Sequence, residues 1–469
     1  EADDSLGWVY QFWQSKRKDE VNASGDKIGA DELPAVTQLF TEHYMVQFLL
    51  DNTLGAWWTA RHPDADIDLD FEYLRFAEDE ETGEEVPAAG TYDGWPDTAA
   101  ELTVMDPCMG SGHFLVAALP MLARMRMHEE GLSAEDAVDR VIAENLHGLE
   151  IDERCTQIAA FALAMAAWTF NGASGYRELP EMNLACSGLA PEGDLEDWET
   201  LAGDDERLQN GMQRLYEIFQ DAPTLGSLID PSAPENRLDT ATFEELEPLL
   251  EEALTNGQEA EKTERGVVAY GIAQAAEMLS SRYQLITTNV PYLGMRRQGP
   301  AMRDYLESHH AEAKSDLATA FVQRMLDMGA VKGNVASVTP QSWLLQTSYD
   351  QLRRGLLRGK VWNIVAMLGP NAFETISGEA VNVALITLQN EGPAEEVFSA
   401  VDGSDGGSPS QKKEMPSRNS VWRITQERQV KKPDSRIGLR DGSGQTLPRE
   451  FAIAQQGIKT GDDPKWRRQ

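Results

Sequence analysis

The sequence predicts an open α/β fold, a mostly parallel sheet whose strands alternate with helices and which carries helical insertions. Three observations predict it. Leu102 to Val116 reads LTVMDPCMGSGHFLV: an apolar strand ending in Asp106, a turn with Gly110 and Gly112, and a helical pattern from Phe114. Leu146 to Ile151 is a second short apolar strand, delivering Glu150 and Asp152 at its end. From Tyr283 to about residue 390, strand-like and helical stretches keep alternating. Strand, acid, glycine turn and helix is how such a sheet receives a nucleotide-like ligand at the carboxyl end of a strand. Glycines there permit positive φ and close approach of a ligand. Taken alone, the stretch also fits a tight structural turn.

The bulk properties narrow the classes. The 469 residues suffice for two or three domains at roughly 100–200 residues each. There is no apolar run of about 18 residues and no charged segment leading into a signal-like apolar one, which argues against a membrane span or signal peptide. Cys108, Cys155 and Cys186 are too few and too scattered for a disulfide framework or a thiolate metal site, so no metal is expected and a cytoplasmic setting fits. The net charge of −37 is uneven. Residues 1–281 hold 58 Asp and Glu against 16 Lys and Arg, whereas residues 282–469 hold 20 against 25. The basic groups are kept where a polyanion could be met. The acidic half, with 13 lysines in the whole chain, fits a surface solvated for high salt, or simply an acidic protein.

Taken in order, the chain starts at Glu1 and ends on a charged tail, and is expected to be a piece of a longer protein with a truncated C-terminal region. Residues 1–60 form an N-terminal helical segment, with an aromatic stretch LGWVYQFW at 6–13 and a helix from Pro34 to Trp58. Thr41 would be an N-cap whose hydroxyl could also meet a carboxylate. Residues 61–101 are an acidic insertion, with 14 acids against Arg75 alone over 62–101, expected as a solvated loop. The catalytic-type domain spans 102–400. Its helix Phe114–His128 contains Pro120, which should kink or end it. Ser133 opens a further helix, Glu153–Phe170 another, and Met182–Leu189 a third strand. A helical insertion fills 191–281, with patterns at 204–220, 243–256 and 264–281. Strands 283–288, 334–339, 361–368 and 381–389 complete the sheet, with helices 316–329 and 342–358 between them. Residues 401–411 are linker-like. Residues 412–469 hold 14 Lys and Arg against seven Asp and Glu, with Trp422 and Trp466, and suit a nucleic-acid face.

An acid at the end of the second strand is where a ribose diol would be gripped, and this favours Glu150 over Asp152; otherwise both cap the next helix. The strand Tyr283–Thr288 ends in Asn289-Val290-Pro291-Tyr292. An exocyclic amine on a nucleobase is a poor nucleophile because its lone pair is delocalised. An Asn oxygen and the carbonyl before a proline can both accept its hydrogens and free that lone pair. Pro291 would fix the turn and Tyr292 would stack on an extruded base. By itself Asn-Val-Pro-Tyr is weak; after a strand and downstream of DPCMGSG it is specific. Cys108 has no histidine or lysine placed to activate it, and His309 and His310 read as surface residues.

DPCMGSGHF and NVPY together resemble the cofactor loop and catalytic motif of the adenine-specific DNA methyltransferases. The likeness is to the PglX-type methylases of BREX phage-defence systems. It is supported by LGWVYQFWQSKRKDEV, LPAVTQLFTEHYMVQFLLDNTLG and GLEIDERC, and it covers essentially the whole chain. The resemblance implies an S-adenosylmethionine-dependent, Rossmann-like methyltransferase fold acting on double-stranded DNA alongside other phage-defence proteins. It implies that Thr41 holds the methionine end of S-adenosylmethionine, that Asp106, Gly110 and Gly112 line the cofactor, and that Glu150 takes its ribose. Asn289, Pro291 and Tyr292 would be catalytic, Asp316 a further pocket position, and Phe373 a second aromatic on the target base. Residues 412–469 would begin a target-recognition region. Two positions depart from the family pattern: Val290 replaces the first proline of Asn-Pro-Pro-Tyr, and Cys186-Ser187-Gly188 lacks the acid the third strand often offers to the cofactor's adenine, leaving Ser187 or a backbone carbonyl to substitute. The expected activity is methylation of adenine N6. Alternatives are cytosine N4 or a protein glutamine amide as acceptor, or a methylase-like scaffold that binds DNA without turnover.

Overall fold

The computed structural model describes residues 5–37, 41–79, 82–232, 260–373, 381–392, 397–406 and 408–439, with 245, 246, 248 and 250. One nine-stranded sheet organises them. Its strands are β1 (Val104–Asp106), β2 (Leu146–Glu150), β3 (Asn183–Cys186), β4 (Tyr283–Asn289) and β5 (Gly329–Pro340). They continue with β6 (Val361–Gly369), β7 (Val383–Gln389), β8 (Val397–Asp402) and β9 (Val421–Thr425). The spatial order is β9-β8-β6-β7-β5-β4-β1-β2-β3. Neighbours from β5 through β3 are parallel. β7 is inserted antiparallel between β5 and β6. β8 is parallel to β6, and β9 is antiparallel to β8.

The chain therefore steps outward from β1 to β2 and β3, then crosses back to β4 on the other side of β1. That reversal opens a crevice at the carboxyl ends of β1 and β4, the place where open α/β sheets take ligands. Strands such as β6 (VWNIVAMLG) and β7 (VALITLQ) are apolar along nearly their whole length because both faces are covered. One face carries the helical run from His43 to Arg61 and the helix His113–Glu130. The other carries the insertion, the helix Leu317–Met328 and the helix Asp350–Gly359.

The helix His113–Glu130 starts after Gly112 (φ +89°) and stops at Gly131 (φ +68°). It runs through Pro120, whose missing N–H costs one bond while Leu119 and Met121 on either side are buried. The helix expected from Pro34 to Trp58 is instead divided into Leu33–Thr37, His43–Leu50, a π turn Asp51–Gly55, and Ala56–Arg61. Glu42, with φ −60° and ψ 136°, is the N-cap of His43–Leu50, so Thr41 lies one residue before the cap.

Parts of the acidic stretch 61–101 pack onto the domain rather than standing in solvent, while residues 82–85 are exposed. Tyr73, Tyr92 and Trp95 are buried, and Trp95 Nε1 donates to Asn334 Oδ1 on β5 at 2.8 Å. Nor does the sheet end near 390, and residues 401–406 do not set the later chain apart as a linker would. The helix Pro409–Arg418 and β9 pack back onto the domain. Lys412, expected to open a basic DNA face, is fully buried, its ammonium donating to the carbonyls of Leu368, Gly403 and Ser404. Trp422 sits on β9, paired with Ala400. The basic stretch from 440 onward, with Trp466, and most of the helical pattern at 243–256 lie outside the described residues. Within the insertion, helices Glu206–Ile218 and Ala260–Ser280 match two expected patterns. No described helix is long and apolar enough to cross a membrane.

Candidate active site

β1 is three buried residues, and its last, Asp106, accepts the Cys108 N–H at 3.1 Å. The next turn places Gly110 at φ +54°, and its N–H donates to Glu150 Oε2 at 2.9 Å. The other Glu150 oxygen accepts the Asp152 N–H at 3.1 Å. The glycine turn of β1 and the acid of β2 are thus one bonded unit, and the carboxylate keeps acceptor capacity for a ligand. Burial drives both acids upward, Asp106 to about 7. Asp152 is the N-cap of the helix Glu153–Thr169, accepting from Arg154 N at 3.0 Å, and is not a wall of the cleft.

At the end of β4, the Asn289 amide is held at both ends. Its Nδ2 donates to Thr41 Oγ1 at 3.2 Å, and its Oδ1 accepts from the Tyr292 hydroxyl at 3.2 Å. Val290 is buried in the apolar core, and its N–H reaches the Val338 carbonyl on β5 at 3.4 Å. A proline there would lack that donor, so valine extends the β4–β5 ladder by one residue. The Leu293 N–H and the Ala318 N–H both donate to Asp316 Oδ1, at 3.3 and 3.0 Å. Asp316 therefore caps the helix Leu317–Met328 and ties the Asn-Val-Pro-Tyr turn to it. Burial raises the Tyr292 hydroxyl, with the Asp316 charge adding to it.

These strand ends surround a cleft. Thr41, Asp106, Gly110, Glu150, Ser187, Asn289 and Pro291 line it. Gly112, Asp316, Tyr292 and Phe373 do not. Gly112 starts the helix behind the turn. Tyr292 packs beside the cleft against both apolar layers. Phe373, expected as a second aromatic on the target base, is buried in the apolar cluster that also holds Tyr44, whose hydroxyl donates to Ala372 O at 3.0 Å.

Several lining residues were missed by sequence reasoning. Leu317 and Phe321 come from the helix after Asp316. Gly226 and Ser227 come from the helical insertion, and Ser227 Oγ donates to Ser187 Oγ at 3.1 Å. Nothing local in the sequence marks that segment. His113 also lines the cleft, kept neutral by burial and by His43 nearby, which take its imidazole down to about 4. The Cys108 thiol is driven well up by burial and by Asp106 and Glu150, the opposite of an activated nucleophile. His310 is not a surface residue: it is 6% exposed and pushed by burial to about 4, while His309 is exposed.

The residues present fit a nucleoside-bearing methyl donor. Glu150 offers lone pairs beside a glycine turn, and a Cβ at Gly110 would meet no protein atom within 4 Å, so the backbone there is approachable. Phe114, Ile151 and Leu225 supply apolar wall. Two buried acids suit a cationic ligand.

Comparisons with known proteins place the chain among relatives. Residues 144–373 match the Eco57I restriction-modification methylase family, and residues 95–186 match the DNA-methyltransferase domain of MmeI. The adenine-specific methyltransferase BrxX of Escherichia coli O9:H4 (strain HS) is 30% identical over 406 residues, covering 82% of this chain and 33% of BrxX. The adenine-specific methyltransferase PglX of Lacticaseibacillus casei (strain Zhang) is 28% identical over 410 residues, covering 82% of this chain and 32% of PglX. The chain thus spans about a third of the length of the curated relatives it matches. Among solved structures, the chain in the cryoEM structure of a DrdV–DNA complex has a TM-score of 0.47 at 14% identity, covering 84% of this chain and 30% of that one. The chain has the α/β fold of S-adenosylmethionine-dependent methyltransferases and is a homologue of the BrxX and PglX adenine-specific methyltransferases.

Proposed function

We propose that this chain is the catalytic region of an enzyme that methylates the exocyclic N6 amine of adenine in double-stranded DNA. S-adenosylmethionine is the donor, and the parent protein works as the modification component of a phage-defence system with other defence proteins. The observation that carries the reading is Asn289 at the end of β4, its amide fixed by Thr41 and Tyr292, beside the acid-lined cleft at the strand reversal.

Bound S-adenosylmethionine supplies a methyl group made electrophilic by the sulfonium. The chain does the rest by positioning. Asn289 Oδ1 accepts from the Tyr292 hydroxyl and keeps a second lone pair for a hydrogen of the target amine. The carbonyl of Val290, in a turn fixed by Pro291, accepts the other hydrogen. Both bonds pull the nitrogen toward tetrahedral geometry, where its lone pair is available. Tyr292 stacks on the base once it leaves the duplex. Asp316 maintains the turn without touching the reacting atoms. Glu150 takes the donor's ribose, and Asp106 with the Gly110 turn lies alongside it.

The full-length parent, given labelled S-adenosylmethionine and unmethylated DNA, should place label on adenine. Asn289→Ala and Tyr292→Ala should lose it. Label on cytosine or on a protein glutamine would redirect the acceptor. Donor binding with no transfer, in the presence of DNA and partners, would leave the DNA-binding scaffold, the reading that Val290 and the acid missing at the end of β3 favour.

A further inference from the structure

We propose that the hydroxyl pair Ser187–Ser227 reads the purine edge of the methyl donor, so that the helical insertion supplies half of the cofactor's adenine subsite. This rests on the cofactor placement above. The four strand ends β4, β1, β2 and β3 present Asn289, Asp106, Glu150 and Ser187 side by side. Neighbouring strands lie about 4.8 Å apart, so the end of β3 is roughly 14 Å from β4 and one strand beyond Glu150. A donor with its methyl toward Asn289 and its ribose on Glu150 therefore extends its base toward β3.

The two serines are built in. Ser187 has no exposure and Ser227 is 2% exposed. The Ser187 N–H donates to the Glu150 carbonyl at 2.8 Å, fixing it relative to the ribose acid. Ser227 arrives on a tightly fitted wall. Gly226 sits at φ +50°, and a Cβ there would lie 3.1 Å from Ile151 Cδ1 and 3.4 Å from Ser187 Oγ. Behind the wall, buried Arg324 donates from Nε to the Ser227 carbonyl at 3.3 Å, and from Nη2 to the Ile229 and Leu279 carbonyls at 2.8 Å each. The helix that carries Arg324 also presents Leu317 and Phe321 to the cleft. The insertion is thereby locked to the catalytic turn that Asp316 caps.

Hydrogen-bond arithmetic defines what the pair recognises. Ser227 spends its proton on Ser187, which leaves the Ser187 proton and lone pairs on both oxygens. The pair is neutral and offers one donor beside an acceptor. Adenine presents an N6 donor beside an N1 acceptor, which the pair complements at two points. A carboxylate has only acceptors and would read the amine alone. Because hydroxyls rotate, the pair also accommodates hypoxanthine, where O6 accepts and N1–H donates; a carboxylate would face O6 with like polarity.

The test is calorimetric titration of the full-length protein with two non-reacting products, S-adenosylhomocysteine and S-inosylhomocysteine. The wild type should bind both, with affinities within about tenfold, a hydrogen bond's worth of difference. Ser187→Asp should widen the preference for the adenosyl compound to roughly 100-fold, since an unmatched buried acceptor is left facing O6. Ser227→Ala should weaken both ligands about tenfold. Rejection of the inosyl compound by the wild type beyond roughly 100-fold would overturn the subsite, and this readout needs no variant to fold. Adenosyl binding unchanged in Ser227→Ala would overturn it too, leaving the cofactor placement standing. Absence of S-adenosylhomocysteine binding by the wild type would overturn the placement and the subsite together.

Discussion

The cleft and the seam beneath the acidic stretch both bury polar groups against the same sheet, yet they use them in opposite ways. In the seam the amide and indole groups satisfy one another. Trp95 bonds Asn334, Asn334 Nδ2 bonds Asn363 Oδ1 at 2.9 Å, and Asn363 Nδ2 bonds the Ala89 carbonyl at 3.0 Å. Asn52 Nδ2 takes the Tyr73 carbonyl at 2.8 Å, and the Tyr73 N–H returns to Asp51 Oδ2 at 2.8 Å. In the cleft, backbone amides and the Thr288 side chain hold Asp106 and Glu150 in place where they line the cleft. A closed network specifies where a segment lies; an open one at a strand reversal is held for a ligand.

The sharpest way to break this contrast is to remove one group from each region. Asn289→Ala should lower the rate of methyl transfer by about 100- to 1000-fold, as loss of a preorganised transition-state partner does, with the melting temperature nearly unchanged. Asn334→Ala should do the reverse. It strands the Trp95 indole N–H and the Asn363 oxygen in a buried setting, costing about 1–3 kcal/mol for each group left unpaired, read from denaturant midpoints. Transfer per folded molecule should hold. A seam variant that lost turnover without losing stability would make the two regions one.

The legibility of each region depends on the range of its contacts. Asp106, Gly110, Glu150 and Asn289 are readable because each sits where an apolar strand stops, a signal contained within a few residues. The acidic stretch reads as solvated because its composition is polar, but its partners Asn334, Asn363 and Ser399 are hundreds of residues away, and Ser399 Oγ reaches the Ala88 carbonyl across 311 positions. Lys412 fails for the same reason. A lysine in a basic run looks like a phosphate ligand until three distant carbonyls are found around it. Ser227 carries no motif, and only the packing of the insertion through Arg324 brings it to Ser187.

A smaller effect reads the seam by pH. Burial takes the Asp51 carboxyl from 3.8 to about 7, against the opposing bonds from Tyr73 and Gln47. Between those values the folded protein keeps a proton that the unfolded chain has released. Its contribution to stability is therefore complete below about pH 4, declines as pH rises through 7, and is level above. Urea midpoints should fall between pH 5 and pH 8 in the wild type and fall less in Asp51→Asn. An unchanged slope would mean that Asp51 is ionised in the seam at both pH values.

Thr41 is the joint between the two regions, and it carries the smallest predicted effect. It is buried one residue ahead of the N-cap Glu42, on the segment that continues into Asp51 and Asn52, while its hydroxyl accepts from Asn289. Valine has the same shape and no acceptor. In Thr41→Val the Asn289 amide loses one of the two partners that tell its nitrogen from its oxygen, and a flipped amide would offer the target amine a donor where an acceptor is needed. Turnover should drop about five- to tenfold, the worth of one hydrogen bond, while affinity for S-adenosylhomocysteine stays within about twofold and Thr41→Ser restores the rate. If affinity falls as far as turnover, Thr41 is a cofactor ligand instead, and the N-terminal segment belongs to the cleft rather than to the seam.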